Sequence, residues 1–423
     1  MAFQQGLSGL NSASKALDVI SNNVANSNTI GFKAGRAEFA DVYAAALNGA
    51  AAGVQVGIGS AIGAVTQSFS QGNITTTNNP LDVAINGNGF FRMANSDGSV
   101  AYTRNGQFDI NKNGYIVNAQ GMQLTGYPAN NGVILAGGDP TAIKLNYSDV
   151  SPERTTELAI GMNLDSRAQT PTEAFSAANP KPLDPNNPAS GNYNFSTSAT
   201  LYDALGNSHT ATLYFRKEAT AGEWTVHPIV DGTTPTTPGS ITVTFDPATG
   251  KLTSPAAGSE PTLTMDIDNA NFGGAPDFNV KFFMGDSTQF GSQFGVNTLR
   301  QDGFASGRLT GITIGDDGVI LGRYSNGQSR DLGQVVLANF QSPNGLLSLG
   351  GNLWAESPDS GQPIVGVPGS ANLGLMTAGA VEEANVDLTS ELVQLIVQQR
   401  AYQANAQSVR AQDTILQTIV NLG

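Results

Sequence analysis

The 423-residue chain contains no cysteine. Disulfides and thiolate metal centres are therefore excluded, and stability outside the cytosol has to come from packing and assembly. Charge is scarce: only 13% of residues are charged, about half the ~25% of ordinary soluble proteins. No run of ~18 apolar residues occurs, so no membrane insertion is expected. The opening residues, "MAFQQGLSGLNSASKALDVI", lack a basic start and an apolar core, which predicts export without a Sec signal peptide. Catalytic patterns are missing as well. The only two histidines, His209 and His227, lie in the middle of the chain with no cysteine near them. "GIG" at 57–59 lacks the third glycine of a dinucleotide fingerprint, and no P-loop or Gly-x-Ser-x-Gly elbow is present. "MDIDNANFGGAPD" at 265–277 has a calcium loop's outline through Asp266 and Asp268, but Asn271 stands where glycine is needed and Asp277 where glutamate is. It reads as a polar turn. The expectation is no enzyme, no cofactor and no metal.

What is abundant is glycine, 50 residues, about 12% against the usual ~7%. A surface rich in Gly, Ala, Ser, Thr, Asn and Gln can meet many neighbours without desolvating charge. The net charge is −14 with a pI near 4.5. Residues 148–302 hold 17 acidic and 8 basic residues, while the rest hold 17 and 12. No basic patch stands out, so a nucleic-acid partner is disfavoured. Residues 42–81 are 40 consecutive uncharged positions, broken throughout by glycine and polar residues.

Both ends read as helix. Phe3, Leu7, Leu10, Ser14, Leu17, Ser21 and Val24 alternate spacings of four and three. So do Leu388, Leu392, Leu395, Gln399, Tyr402, Ala406, Val409, Asp413, Leu416 and Val420. That is a heptad seam. No Pro or Gly interrupts 388–422, so the C-terminal helix should be ~50 Å long at ~1.5 Å per residue.

Between the ends the pattern is β. Short apolar runs alternate with Asn86-Gly87, Asp97-Gly98, Asn105-Gly106 and Asn113-Gly114, and later with Asp317-Gly318 and Asn326-Gly327. Such dipeptides are strong hairpin signals. The stretch 148–302 is also β-rich but carries Pro171, Pro180, Pro182, Pro185, Pro188 and "TTPTTP" at 233–238, which suit exposed loops. The fold class expected is multi-domain and mainly β with long α-helical coiled-coil termini. The domains nest: 1–27 and 387–423 form an inner helical layer, and 28–72 and 366–386 are connecting or hinge segments. Residues 73–147 and 303–365 form an inner β domain, with 148–302 inserted as an outer β domain.

One stretch stands out, "SNNVANSNTIGFK" at 21–33. Its asparagines and serines compete with a helical backbone and favour caps and turns. "SNNVANSNTIGFKAGRAEF" resembles the N-terminal signature of the flagellar rod and hook axial protein family. "NPLDVAINGNGFF" and "YTRNGQFDINKNGYIVNAQGMQLTGYP" resemble the β segment that the family carries next. "ANVDLTSELVQLIVQQRAYQANAQSVRAQDTILQTIVNL" resembles its C-terminal helix. The matches cover roughly 1–147 and 303–423. Length, the large middle insertion, "MAFQQGLSGLNSAS" and "ATLYDALGNSHTATLYF" at 199–215 point within that family to its hook members.

The resemblance implies a helical homopolymer, a curved flexible tube serving as a universal joint that passes torque from rod to filament. It implies an extracellular place in the flagellum hook and basal body. The implied partners are the chain itself, the distal rod, the hook cap, the hook–filament junction protein and the flagellar type III export apparatus. It assigns self-assembly to Leu7, Leu10, Leu17, Val24, Leu388, Leu392, Leu395, Tyr402, Val409, Leu416 and Val420. The family signature falls on Asn22, Asn23, Ala25, Asn26, Thr29, Gly31, Phe32 and Lys33. The rival readings are a distal rod protein and, from another class, a secreted β-rich adhesin, which would not need matched terminal heptads.

Overall fold

The computed structural model describes residues 2–42, 59–130, 132–146, 149–187, 189–232, 239–256, 258–265 and 276–422, with only the backbone at 2, 265 and 419–422. Most of the uncharged 42–58 segment, Pro188, "TTPTTP" at 233–238 and most of the 265–277 turn lie outside the described residues. The protein is mainly β with a helix at each end.

Helix α1 spans Ala2–Ala25 and helix α2 spans Leu388–Leu422. The sequence placed α2 between the same residues. Asp387 opens it: its carboxylate accepts from Thr389 N at 3.0 Å and Ser390 N at 3.3 Å, satisfying two of the amides that a helix start leaves free. α1 stops where its asparagines take over the backbone. Asn26 Nδ2 donates to Asn22 O at 2.9 Å and Ser27 Oγ to Val24 O at 2.9 Å.

The chain divides into two compact units. The first comprises Met1–Tyr147, Thr310–Arg323 and Ser329–Gly423; the second comprises Ser148–Leu309 and Tyr324–Gln328. In the first unit, strands β1 (Gly35–Val42) and β2 (Gly59–Gln67) form an antiparallel ribbon that packs along α1. Ser12 Oγ and Ser60 Oγ meet at 2.9 Å across that contact. The largest sheet runs, in spatial order, through Leu309–Ile314, Val319–Tyr324, Ser329–Val335, Gln123–Asn130, Phe90–Ala94, Val100–Thr103, Leu353–Ala355 and Leu347–Gly350. Val83, Ile85, Phe91, Met93, Leu124 and Leu337 are among its buried core residues. A smaller aromatic core stacks Phe90, Tyr102, Phe340 and Trp354 edge to face. Two short pairings join distant parts of the chain: Ile74–Thr76 with Ala380–Glu382, and Val83–Asn86 with Leu375–Ala378.

The second unit holds a five-stranded antiparallel meander from Phe195 to Ser254 and a four-stranded sheet ordered Thr262–Met265, Phe278–Phe283, Glu157–Asn163, Gly295–Gln301. Their inner faces alternate correctly for burial, as in Ala211, Leu213 and Phe215 or Trp224 and Val226.

Four of the six Asx-Gly dipeptides sit between paired consecutive strands: Asp97-Gly98, Asn113-Gly114, Asp317-Gly318 and Asn326-Gly327. The other two are not hairpins. Val83–Asn86 pairs with Leu375–Ala378 rather than with its sequence neighbour Phe90–Ala94. Gly106 is glycine for another reason: a Cβ there would lie 1.6 Å from Val83 O, and Gly106 O accepts from Val83 N at 2.9 Å. The dipeptide marks close backbone approach rather than a tight turn.

Candidate functional site

α1 and α2 lie antiparallel along one another. A Cβ added at Gly6 would stand 2.9 Å from Val409 Cγ2, and one at Gly9 would stand 2.8 Å from Asn405 Nδ2. At the other end Asn23 Nδ2 donates to Glu391 Oε1 at 3.2 Å. The stripe of α1 that is buried is therefore Gly6, Ala13, Ala16, Ile20 and Asn23. It keeps the heptad spacing but runs one position off the leucine stripe read from the sequence. Small residues let the helices approach closely, so glycine and alanine take the seam and the larger side chains flank it.

The sequence-derived assembly residues accordingly sit beside the intrachain seam. Leu10, Leu17, Val24, Leu395 and Val409 are half-buried, while Phe3, Leu7, Leu388, Leu392, Tyr402 and Leu416 are exposed. The side chain of Val420 lies outside the described residues. Val393 and Ile396 are about half exposed too, at 57% and 49%. On the side of α2 turned away from α1, Leu392, Val393, Ile396 and Val397 form an apolar face whose charges are Arg400 and Arg410. Each leucine-sized group left in water forgoes about 1.5–3 kcal/mol of burial, so this face suits a partner.

The signature stretch builds a clasp at the base of the helices. Gly31 takes φ +69°, and a Cβ there would lie 2.5 Å from Asn105 N, so only glycine fits without a shift. Its N–H donates to Glu382 O at 2.8 Å. Buried Asn23 reads Gly35 like a paired strand: its Oδ1 accepts from Gly35 N at 2.9 Å and its Nδ2 donates to Gly35 O at 2.8 Å. Lys33 is buried, with Nζ 2.6 Å from Glu382 Oε1 and 2.7 Å from Ser70 O. Arg104 Nη1 reaches the other oxygen, Oε2, at 3.1 Å, and its Nη2 donates to Gly87 O at 2.8 Å. Gly72 N adds a bond to Oε1 at 2.8 Å. One fully buried carboxylate thus holds two cations. Burial holds the Lys33 ammonium below the usual lysine range, against the opposing pull of Glu382. Burial likewise lowers Arg104. Asn385 completes the clasp, accepting from Ala34 N at 2.7 Å and donating to Ser68 O at 2.7 Å.

Of the signature residues the structure brings Asn23, Gly31 and Lys33 into this clasp. Asn26 and Thr29 bond locally, with Thr29 Oγ1 donating to Asn26 Oδ1 at 3.2 Å. Phe32 is half-buried, and Asn22 and Ala25 are exposed. Glu382, Arg104 and Asn385 were not singled out from sequence. Lys33 and Glu382 are 349 positions apart, and no local pattern announces such a pairing.

The neighbouring surface is concave. A cavity of about 420 Å³ is lined by Asp18, Phe32, Val65, Phe69, Leu346 and Ser348, among others. Among the described residues no cluster of three or more His, Asp or Glu side chains is placed to hold a metal. His209 lies instead between Asp231, 2.6 Å from Nδ1, and Asp203, 3.5 Å from Nε2. No helix of the described residues is long and apolar enough to cross a membrane.

Comparison with known proteins places these features. Four family models match: "Flagella basal body rod protein" over 3–33, "Flagellar hook protein FlgE/F/G D1 domain" over 84–163, "Flagellar basal body protein FlaE D2 domain" over 163–304, and "Flagellar basal body rod FlgEFG protein C-terminal" over 377–422. The chain is 41% identical over 428 residues to the flagellar hook protein FlgE of Escherichia coli, covering 100% of both chains. It is 42% identical over 429 residues to that of Salmonella typhimurium, again covering 100% of both. To the hook protein of Borreliella burgdorferi it is 32% identical over 454 residues, covering 100% of this chain and 99% of the relative. Among solved structures, the Helicobacter pylori hook protein FlgE2 shares the fold, with a TM-score of 0.50 at 15% identity, over 71% of this chain and 98% of that one.

Proposed function

We propose, from the premise that this chain belongs to the flagellar hook protein family, that it is the subunit of a curved, flexible tube that passes torque from rod to filament. Its role is structural, and the relatives it matches along their whole length carry the hook protein's name rather than a rod protein's. In this reading α1 and α2 form the inner helical layer of a homopolymer, in coiled-coil contact with neighbouring copies. Residues 73–147 and 303–365 form the next domain, and 148–302 is an outer domain nested in it. The connecting stretches 28–72 and 366–386 serve as hinges away from the clasp that Lys33, Arg104 and Glu382 fix, while the inner contacts hold. Export passes through the flagellar type III apparatus. The distal rod, the hook cap and the hook–filament junction protein are the partners at the ends of the tube.

The observation that carries this reading is the exposed apolar face of α2. A 35-residue helix with Leu392, Val393, Ile396 and Val397 in water is unfinished as a monomer, and repetition in a polymer covers that face in every copy. The test is a double substitution in that face, Val393→Asp with Ile396→Asp. Carboxylates in the apolar contact are costly to desolvate, so polymerisation should be lost while circular dichroism of the soluble chain keeps its β signal. Polymer at wild-type yield from this variant would remove the terminal helices from the assembly core.

A further inference from the structure

We propose that the cavity beside the clasp is an acceptor groove for a second copy, receiving the outer face of the neighbour's α2 with Arg400 set against Asp18. The proposal rests on the hook reading and deepens it by naming the surface that covers the outer face of α2. The groove has two walls. One is the end of β2 with Val65 and the following Phe69; the other is Leu346 and Ser348. Phe32 also lines the groove. Val65, which lines it, is 54% exposed and uncovered. Leu347–Gly350 is also the last strand of its sheet, with all four residues exposed. An exposed apolar edge of that kind invites pairing unless something covers it.

Charge selects the occupant. Two charged groups line the groove, Lys33 and Asp18. The Lys33 ammonium is buried and committed to Glu382. Asp18 is left at the rim, where among the described residues its one ion-pair partner is the solvent-exposed Lys15 at 3.4 Å, and such exposed pairs contribute little. A fitting partner is therefore an apolar face bearing a cation. The outer face of α2 has that composition: Leu392, Val393, Ile396 and Val397 with Arg400 among them, and no ion pair engages Arg400 among the described residues. A helix laid in a groove is a common recognition mode. Donor and acceptor are different surfaces of one chain, so the contact is heterologous and propagates an open helical array instead of closing a dimer.

The absence of cysteine from the chain allows a clean test. One batch carries Val65→Cys and another Val397→Cys, and they are mixed, polymerised and oxidised. A disulfide needs the two Cβ atoms within about 4.5 Å, so covalent dimers should form in polymer from the mixture and not in the unpolymerised mixture or in either batch alone. In parallel, Arg400→Asp and Asp18→Arg should each lower polymer yield at least tenfold at fixed ionic strength, and the double variant should return to within twofold of wild type. Polymer that forms normally, gives no mixed dimer and tolerates both charge reversals would overturn the groove while leaving the hook reading intact. If the wild-type chain formed no polymer, both would fall.

Discussion

Glu382→Gln is nearly isosteric, yet it should be among the most damaging single changes in the first unit. It removes the one carboxylate that Lys33 and Arg104 share, 2.6 and 3.1 Å away. Both cations are buried, as is Glu382 itself, so neither can turn to water. Removing one partner of a buried pair costs about 3–5 kcal/mol, because an uncompensated charge is left behind. The amide oxygen of glutamine can still accept one bond, which keeps the cost within that range despite the second cation. The two tryptophans separate the units: Trp354 lies in the first and Trp224 in the second. Urea unfolding of a Trp224→Phe background therefore follows the first unit alone through Trp354. With a slope of about 3 kcal/mol per molar urea, the midpoint should fall by about 1–1.7 M. Adding Lys33→Met to Glu382→Gln removes one stranded cation and should recover a good part of the loss. A midpoint within about 0.2 M of the parent, or a further drop on adding Lys33→Met, would show that the buried charges are not what holds the clasp.

Gly31→Ala should destabilise the same unit by about 1–3 kcal/mol, since a strained left-handed residue is combined with a Cβ 2.5 Å from Asn105 N; equal urea midpoints would refute the assignment. Gly9→Val should weaken α1–α2 packing, because a Cβ already meets the Asn405 side chain at 2.8 Å, and a drop in helix content by circular dichroism checks it. His227 is held down to about 4, first by burial, where it stacks on Phe175 at 4.1 Å. Below its ordinary value of ~6.5 the unfolded chain takes the proton first, so the second unit should lose stability as pH falls from about 6.5 to 4, by about 1–2 kcal/mol after solvent screening. A His227→Gln variant with an unchanged slope over that window would refute this. A chain lacking 148–302 should still polymerise, with altered curvature, whereas loss of all polymer would argue against the nested arrangement.

Legibility in the sequence followed the range of the interactions. The extent of α2 could be read because it depends on neighbours: a long run without Pro or Gly, and a repeated apolar spacing. The hairpins at Asp97-Gly98 and Asn113-Gly114 could be read for the same reason. The intrachain seam of α1 was displaced by one residue because Gly6, Gly9, Ala13 and Ala16 carry little hydrophobic signal. Their contribution is the absence of bulk, which matters only once α2 is alongside. Gly106 was mistaken for a turn residue because glycine serves both purposes, and Val83 O, which demands it here, comes from another segment. Lys33 and Gly31 were marked through family resemblance, whereas nothing in the local sequence singles out Glu382 or Arg104. Only tertiary structure brings them together.

Electron microscopy of the purified full-length chain after salting-out tests the central claim most directly. The account predicts curved tubes, with the terminal helices forming the innermost layer of density and residues 148–302 the outermost. Straight rods, or polymers with the helices on the outer surface, would contradict it.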